Sequence, residues 1–173
     1  MTDKPDGIQP GERFAGIGHL DGARTEGPHI WRTLGYRRIA WQPGGTTLEW
    51  DAPLEYCFPA SGGPVVQGGM VTALLDAAMG GACWTVLNED EVFLTADLRV
   101  EFLRASRPGT LRASGEVVRR GRRAVFCAAE LFDEAGSLLA AGRCTQVVLP
   151  SRGQAGRYDA HPDDGGPPLD ARG

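Results

Sequence analysis

Apolar and polar residues are distributed along this chain in three regimes. Residues 1–28 are polar and rich in Gly and Pro, and so is the stretch from Pro150 to Gly173; neither sustains any apolar periodicity. Such segments bury too little surface to offset chain entropy, so both are predicted to be loosely ordered extensions around a domain at 29–149. Within that domain the pattern first gives a short helix in HIWRTLGY. YRRIAWQ and TTLEWDAPL then form a hairpin about Pro43-Gly44-Gly45, and the loop CFPASGGPVV follows. Next comes QGGMVTALLDAAMGGACWTVL, apolar on every side and rich in Leu, Ala and Met, which predicts a buried helix.

Strand patterns fill the rest. VFLTADLRVEFL alternates, with Val92, Leu94, Ala96, Leu98, Val100 and Phe102 predicted on one face and Thr95, Asp97, Arg99 and Glu101 on the other. TLRASGEVVRR and RRAVFCAAELFD form a hairpin about Gly121, and SLLAAGRCTQVVL follows a DEAG turn as the last strand. One buried helix followed by antiparallel strands predicts an α+β structure. A long sheet wrapped around the helix would cover all its apolar sides.

The bulk chemistry removes several function classes. A length of 173 residues suits one domain, and the net charge of −4 disfavours a general nucleic-acid or anionic-membrane binder. Nothing in the sequence has the length and apolarity of a membrane span or the apolar core of a signal peptide, so the cytoplasm is the predicted location. Cys57, Cys83, Cys127 and Cys144 are scattered singly, as suits reduced thiols. His19, His29 and His161 all lie outside the predicted core, so neither a histidine metal site nor a Ser-His-Asp triad is visible.

Against this background Asp76 stands out. A carboxylate within an apolar helix is costly unless it is paired or put to use. Partial burial would raise its basicity, which suits a general base; an Asp bonded across an interface or to backbone amides is the alternative. Gly80, one turn on, leaves room for a ligand or for close helix packing. Gly68 and Gly69 open the helix, where free N–H groups aided by the helix dipole can hold an oxyanion; a tight turn into the helix needs glycine as well.

In order and spacing, QGGMVTALLDAAMG, TADLRVEFLRASRPGTL and GEVVRRGRRAVFCAAELFDEAGSLLAAG resemble the PaaI-type hotdog-fold acyl-CoA thioesterases over roughly residues 29–148. The resemblance implies a hotdog fold, in which a long antiparallel sheet wraps a central helix. It also implies a homodimer or dimer of dimers with sites at the subunit interface. It casts Asp76 as base or nucleophile, Gly69 as oxyanion donor with Gly68 beside it, and Thr95 as an aid to the attacking water. Gln67 stands where many members carry His, and Ser61 where some carry Asn. Gln67 can orient a carbonyl but cannot exchange a proton near neutral pH. Arg104 and the tip residues Arg120, Gly121 and Arg122 are candidates for the phosphates of coenzyme A, with a merely solvated tip as the alternative. Coenzyme A would then be part of the substrate, with no separate cofactor, metal, nucleic acid or membrane partner. The implied activity is hydrolysis of an acyl-CoA, and the alternative is an acyl-CoA-binding protein without turnover.

Overall fold

A computed structural model describes residues 28–151. Apart from Pro28, Pro150 and Ser151, the extensions predicted at the two ends fall outside these residues. The first helix, α1 (His29–Leu34), ends at Gly35 in the left-handed conformation, φ 80°, with the Gly35 and Tyr36 N–H groups capping its last carbonyls. β1 (Arg37–Gln42) and β2 (Gly45–Ala52) form the predicted hairpin. β2 alternates cleanly, burying Thr46, Leu48, Trp50 and Ala52. The following loop contains a 3-10 turn at Leu54–Tyr56 and a two-residue ladder between β3 (Cys57–Phe58) and β4 (Val65–Val66).

The long apolar run forms α2 (Gly68–Trp84), and the remaining strands are β5 (Glu91–Phe102), β6 (Gly109–Arg120), β7 (Ala124–Asp133) and β8 (Leu138–Pro150). Six strands form one antiparallel sheet in the order β1-β2-β6-β7-β8-β5. The sheet curls around α2, whose Leu74, Leu75, Ala78 and Met79 are fully buried against Leu48, Trp50, Leu111, Val125 and Leu131. One glycine makes this approach close enough: a Cβ on Gly115 of β6 would overlap the Ala78 carbonyl of the helix. This is the hotdog architecture that the pattern predicted.

The predicted alternation of β5 fails in one respect that matters for the site. Thr95 pairs with Gln146 and Asp97 with Thr145, so Ala96 is an extra residue in the ladder, a β-bulge. The inward face is therefore Phe93 and Thr95 before the bulge and Leu98, Val100 and Phe102 after it. These lie opposite Val148, Gln146, Cys144, Gly142 and Ala140, all buried residues of β8. Leu94, expected inside, is 63% exposed. Thr95 faces the helix, whereas Asp97 lies with Thr145 on the other side of the sheet. β5 is an edge strand, bonded to β8 on one side only.

Candidate functional site

Gly68, Thr72, Asp76, Gly80 and Trp84 recur every four residues and form one stripe along α2. The inward side of β5 lies over this stripe. A Cβ on Gly80 would sit 3.3 Å from the Phe93 ring and one on Gly68 3.3 Å from the Phe102 ring, while Trp84 meets Phe93 edge-on at 6.1 Å. The space at Gly80 is thus occupied by the Phe93 ring. Leu74, Trp84 and Phe93 are likewise engaged in the core or beside it.

Midway along the stripe, where the bulge turns Thr95 inward, the Thr95 hydroxyl lies 3.1 Å from Asp76 Oδ1. Burial pushes the Asp76 carboxyl above its ordinary range, and the Thr95 hydrogen bond offsets part of that rise. No described cation forms a salt bridge with Asp76. The same hydroxyl lies 3.0 Å from Oε1 of Gln146, a fully buried amide whose Nε2 is 3.1 Å from Cys144 Sγ. Gln146 is absent from the sequence-derived site. Its signal was there to read: in CTQVVL it shares a strand face with Cys144 and Val148, and a polar residue at an inward position is informative.

The helix start forms a second cluster. Gln67 is the N-cap, its Oε1 accepting from Met70 N–H at 3.2 Å. The N–H groups of Gly68 and Gly69 take no partner among the described residues, and Gly69 is exposed. A side chain on Gly69 would strike Gln67 Oε1, 2.7 Å from the Cβ position. Ser61 lies on the exposed loop just ahead. That loop is anchored by Arg107, which sequence reasoning missed and which donates to the carbonyls of Gly63 at 2.6 Å and Pro64 at 3.1 Å. Gly69 and Asp76 are seven residues apart, about 10 Å along the helix axis. Within the single chain the two clusters do not meet on a single carbonyl group.

The arginines divide sharply. Arg120 donates to both carboxylate oxygens of Glu91 at 2.7 Å and to the Gly121 carbonyl, joining the end of β6 to the start of β5. Arg104 donates to the Leu138 carbonyl at 2.6 Å. Arg122 is exposed and has no partner among the described residues. Gly121 closes the hairpin, its N–H on the Ala124 carbonyl at 2.7 Å. Through Glu91 this tip is placed at the β5 end that carries Phe93, away from Gly69. Two surface hollows of about 570 and 580 Å³ lie elsewhere, at the β1–β2 turn and on the outer face of the sheet, and neither includes Asp76. No group of three or more described His, Cys, Asp or Glu side chains is arranged to hold a metal, and no described helix is long and apolar enough to cross a membrane.

Residues 63–140 match the family model described as the thioesterase superfamily, a span that includes the helix start, Asp76 and Thr95. Among solved structures, the chain is similar to a thioesterase family protein from Silicibacter pomeroyi at 25% identity, covering 71% of this chain and 90% of that one, TM-score 0.65. It is also similar to a putative thioesterase, a phenylacetic acid degradation-related protein from Ralstonia eutropha JMP134, at 26% identity, 79% and 99% coverage and TM-score 0.65. A thioesterase from Haemophilus influenzae shares the fold at 18% identity, 82% and 93% coverage and TM-score 0.66. No curated protein matches the chain. This chain has the hotdog fold, and its residues 63–140 are similar to the thioesterase superfamily.

Proposed function

We propose that this protein hydrolyses an acyl-CoA thioester to the free acid and coenzyme A. One observation carries the reading: a desolvated carboxylate, Asp76, with no cation among the described residues to neutralise it and a hydroxyl 3.1 Å away, on the helix spanned by the thioesterase-superfamily match. A carboxylate so placed is a stronger base than one in water. Asp76 takes a proton from water as the water oxygen attacks the thioester carbon. The carbonyl oxygen becomes an oxyanion held by the Gly69 N–H and by Nε2 of Gln67, whose Oε1 is occupied in the cap. Collapse breaks the C–S bond, and the proton on Asp76 passes to the leaving thiolate. Direct attack by Asp76, giving a mixed anhydride that water then opens, uses the same residues.

The 10 Å between Gly69 and Asp76 calls for a second copy of the chain. β5 is a 12-residue edge strand with Leu94 exposed, a surface suited to strand pairing. Antiparallel pairing of two such edges, centred near Leu98 rather than on the strand's midpoint, sets Phe102 of one copy close to Thr95 of the other. Gly68 lies against Phe102, so the helix start of one copy approaches Asp76 of the other. Arg122, beside Arg119 and Arg123 at an exposed tip, is the group left free for a coenzyme A phosphate. Binding without turnover is favoured by one feature, the commitment of Gln67 Oε1 to the helix cap.

The deciding experiment measures thiol release from short, medium, long and aromatic acyl-CoAs by wild type and Asp76→Ala. Release by wild type and its loss in the variant support hydrolysis. Equal release by both sinks the role of Asp76, and saturable binding with no release favours the binding protein.

A further inference from the structure

Thr95 has one hydroxyl proton and two acceptors within reach, Asp76 Oδ1 at 3.1 Å and Gln146 Oε1 at 3.0 Å. The proton serves one of them at a time. Gln146 is fully buried, and the one other partner of its amide among the described residues is the Cys144 thiol. A buried amide is costly unless bonded, so it competes in earnest for that proton. We propose that Gln146 is a positioning residue for the Asp76 site, deciding through the orientation of its amide whether Thr95 gives its proton to Asp76.

Counting protons gives two self-consistent arrangements. With Gln146 Oε1 toward Thr95, the hydroxyl donates to Gln146, Nε2 donates to Cys144 Sγ, and a protonated Asp76 donates to Thr95. With the amide turned by half a revolution, Nε2 donates to Thr95, Thr95 donates to an ionised Asp76, and the Cys144 thiol donates to Oε1. Each arrangement gives the Thr95 hydroxyl, Asp76 and both ends of the Gln146 amide a partner, and each suits one protonation state of Asp76. The thiol at the end of the chain stays protonated throughout, because its hydrogen bond with Cys127 and its burial both push its ionisation upward. Cys127 lies directly opposite Cys144 in the β7–β8 ladder. Around Asp76 the groups that titrate reduce to Cys144 on β8, with Cys127 of β7 and Cys83 of α2 behind it; β2, β5 and β6 bring no charge that shifts it. Gln146 is thus the neutral group through which the core acts on the carboxylate.

The inference uses the role given to Asp76 above, but its test does not require turnover. The Asp76 side-chain carboxyl carbon is followed by ¹³C NMR against pH in the full chain without substrate, for wild type, Gln146→Met, Thr95→Val and the double variant. Gln146→Met removes the competitor, so Thr95 donates to Asp76 alone and the proton affinity of Asp76 falls roughly three- to tenfold. Thr95→Val removes the donor and moves the titration the opposite way. In the double variant Gln146→Met has no further effect, because its influence passes through Thr95. An unchanged titration in Gln146→Met, or an equal change with and without Thr95, overturns the proposal. Gln146→Leu serves in place of Gln146→Met should that variant not fold. If wild type releases no thiol from any acyl-CoA, the hydrolase reading fails while the NMR result stands on its own.

Discussion

Glu49 on β2 and Asp76 on α2 bring the same functional group into opposite surroundings. Glu49 is gripped by two arginines, Arg37 Nη2 at 2.7 Å and Arg112 Nε at 2.8 Å, tying β1, β2 and β6 together on the outer face of the sheet. Its hydrogen bonds with Arg37 and Arg112 hold its carboxyl below the ordinary range. Asp76 has a hydroxyl in place of a guanidinium, and burial lifts it above that range. A neutralised carboxylate is a staple with little basicity left. An unneutralised, half-buried one destabilises the fold and keeps its lone pairs available for chemistry.

The largest effect expected from breaking this contrast is on turnover. Asp76→Ala should lower kcat for thiol release by roughly 10²–10⁴-fold, the usual contribution of a positioned base. Glu49→Gln should leave it within a few-fold. Comparable losses in the two variants would show that both carboxylates matter only through the fold.

Next comes the surface on which α2 rests. Gly115→Ala forces a methyl group against the Ala78 carbonyl, backbone against backbone, where no rotamer offers relief. A loss of about 1–3 kcal/mol is expected in urea unfolding, as for other overpacked cores. Displacing the helix also carries Asp76 away from Thr95, so kcat should fall along with stability, while the Glu49 staple stays in place. A variant as stable as wild type would mean that the helix has room to shift.

The arginines repeat the contrast between paired and unpaired charge. Arg120 and Glu91 are each only 17% exposed at the side chain, so Arg120→Ala leaves a half-buried carboxylate without its partner. Stability should drop by about 1–3 kcal/mol, a typical cost for an unsatisfied group. Arg122→Ala should instead raise KM for acyl-CoA severalfold, with kcat and the melting temperature little changed. The reverse assignment of these two effects would place the phosphate contact on Arg120.

How much of this could be read from the chain depends on the range of the interaction concerned. The buried helix, the hairpins and the position of Asp76 follow from periodicity within a few residues, and QGG at the helix start is equally local. The inward turn of Thr95 was hidden, because the bulge at Ala96 adds one residue without altering composition or apparent alternation. The commitment of Arg120 was hidden as well, since its partner Glu91 lies 29 residues earlier. Gln146 was legible as a polar residue in a buried register, but its link to Asp76 passes through Thr95, 51 residues before it. Local pattern gives elements and isolated residues; partners come from topology.

The smallest and most diagnostic effect concerns stability against pH, where the two carboxylates should act with opposite sign. For Asp76 the folded-state value lies above the unfolded one of about 3.9. Between the two, the native state holds a proton that the unfolded chain has released, so stability declines as pH rises through that window. Asp76→Asn should therefore be more stable than wild type at pH 7 and no different near pH 3. For Glu49 the folded-state value lies below the unfolded one of about 4.3. Its contribution is present above that pH and is lost as pH falls through the folded value, so Glu49→Gln should be less stable at pH 7, with the gap closing in acid. Solvent screening of the Glu49 pair keeps its effect at about 1 kcal/mol or less, a change of about 2–4 °C in melting temperature. Melting curves of both variants from pH 3 to 8 test the pair together. Displacements of the same sign would mean that Asp76 is held by a charge the described residues do not supply, and a partner copy would then be the place to look for it.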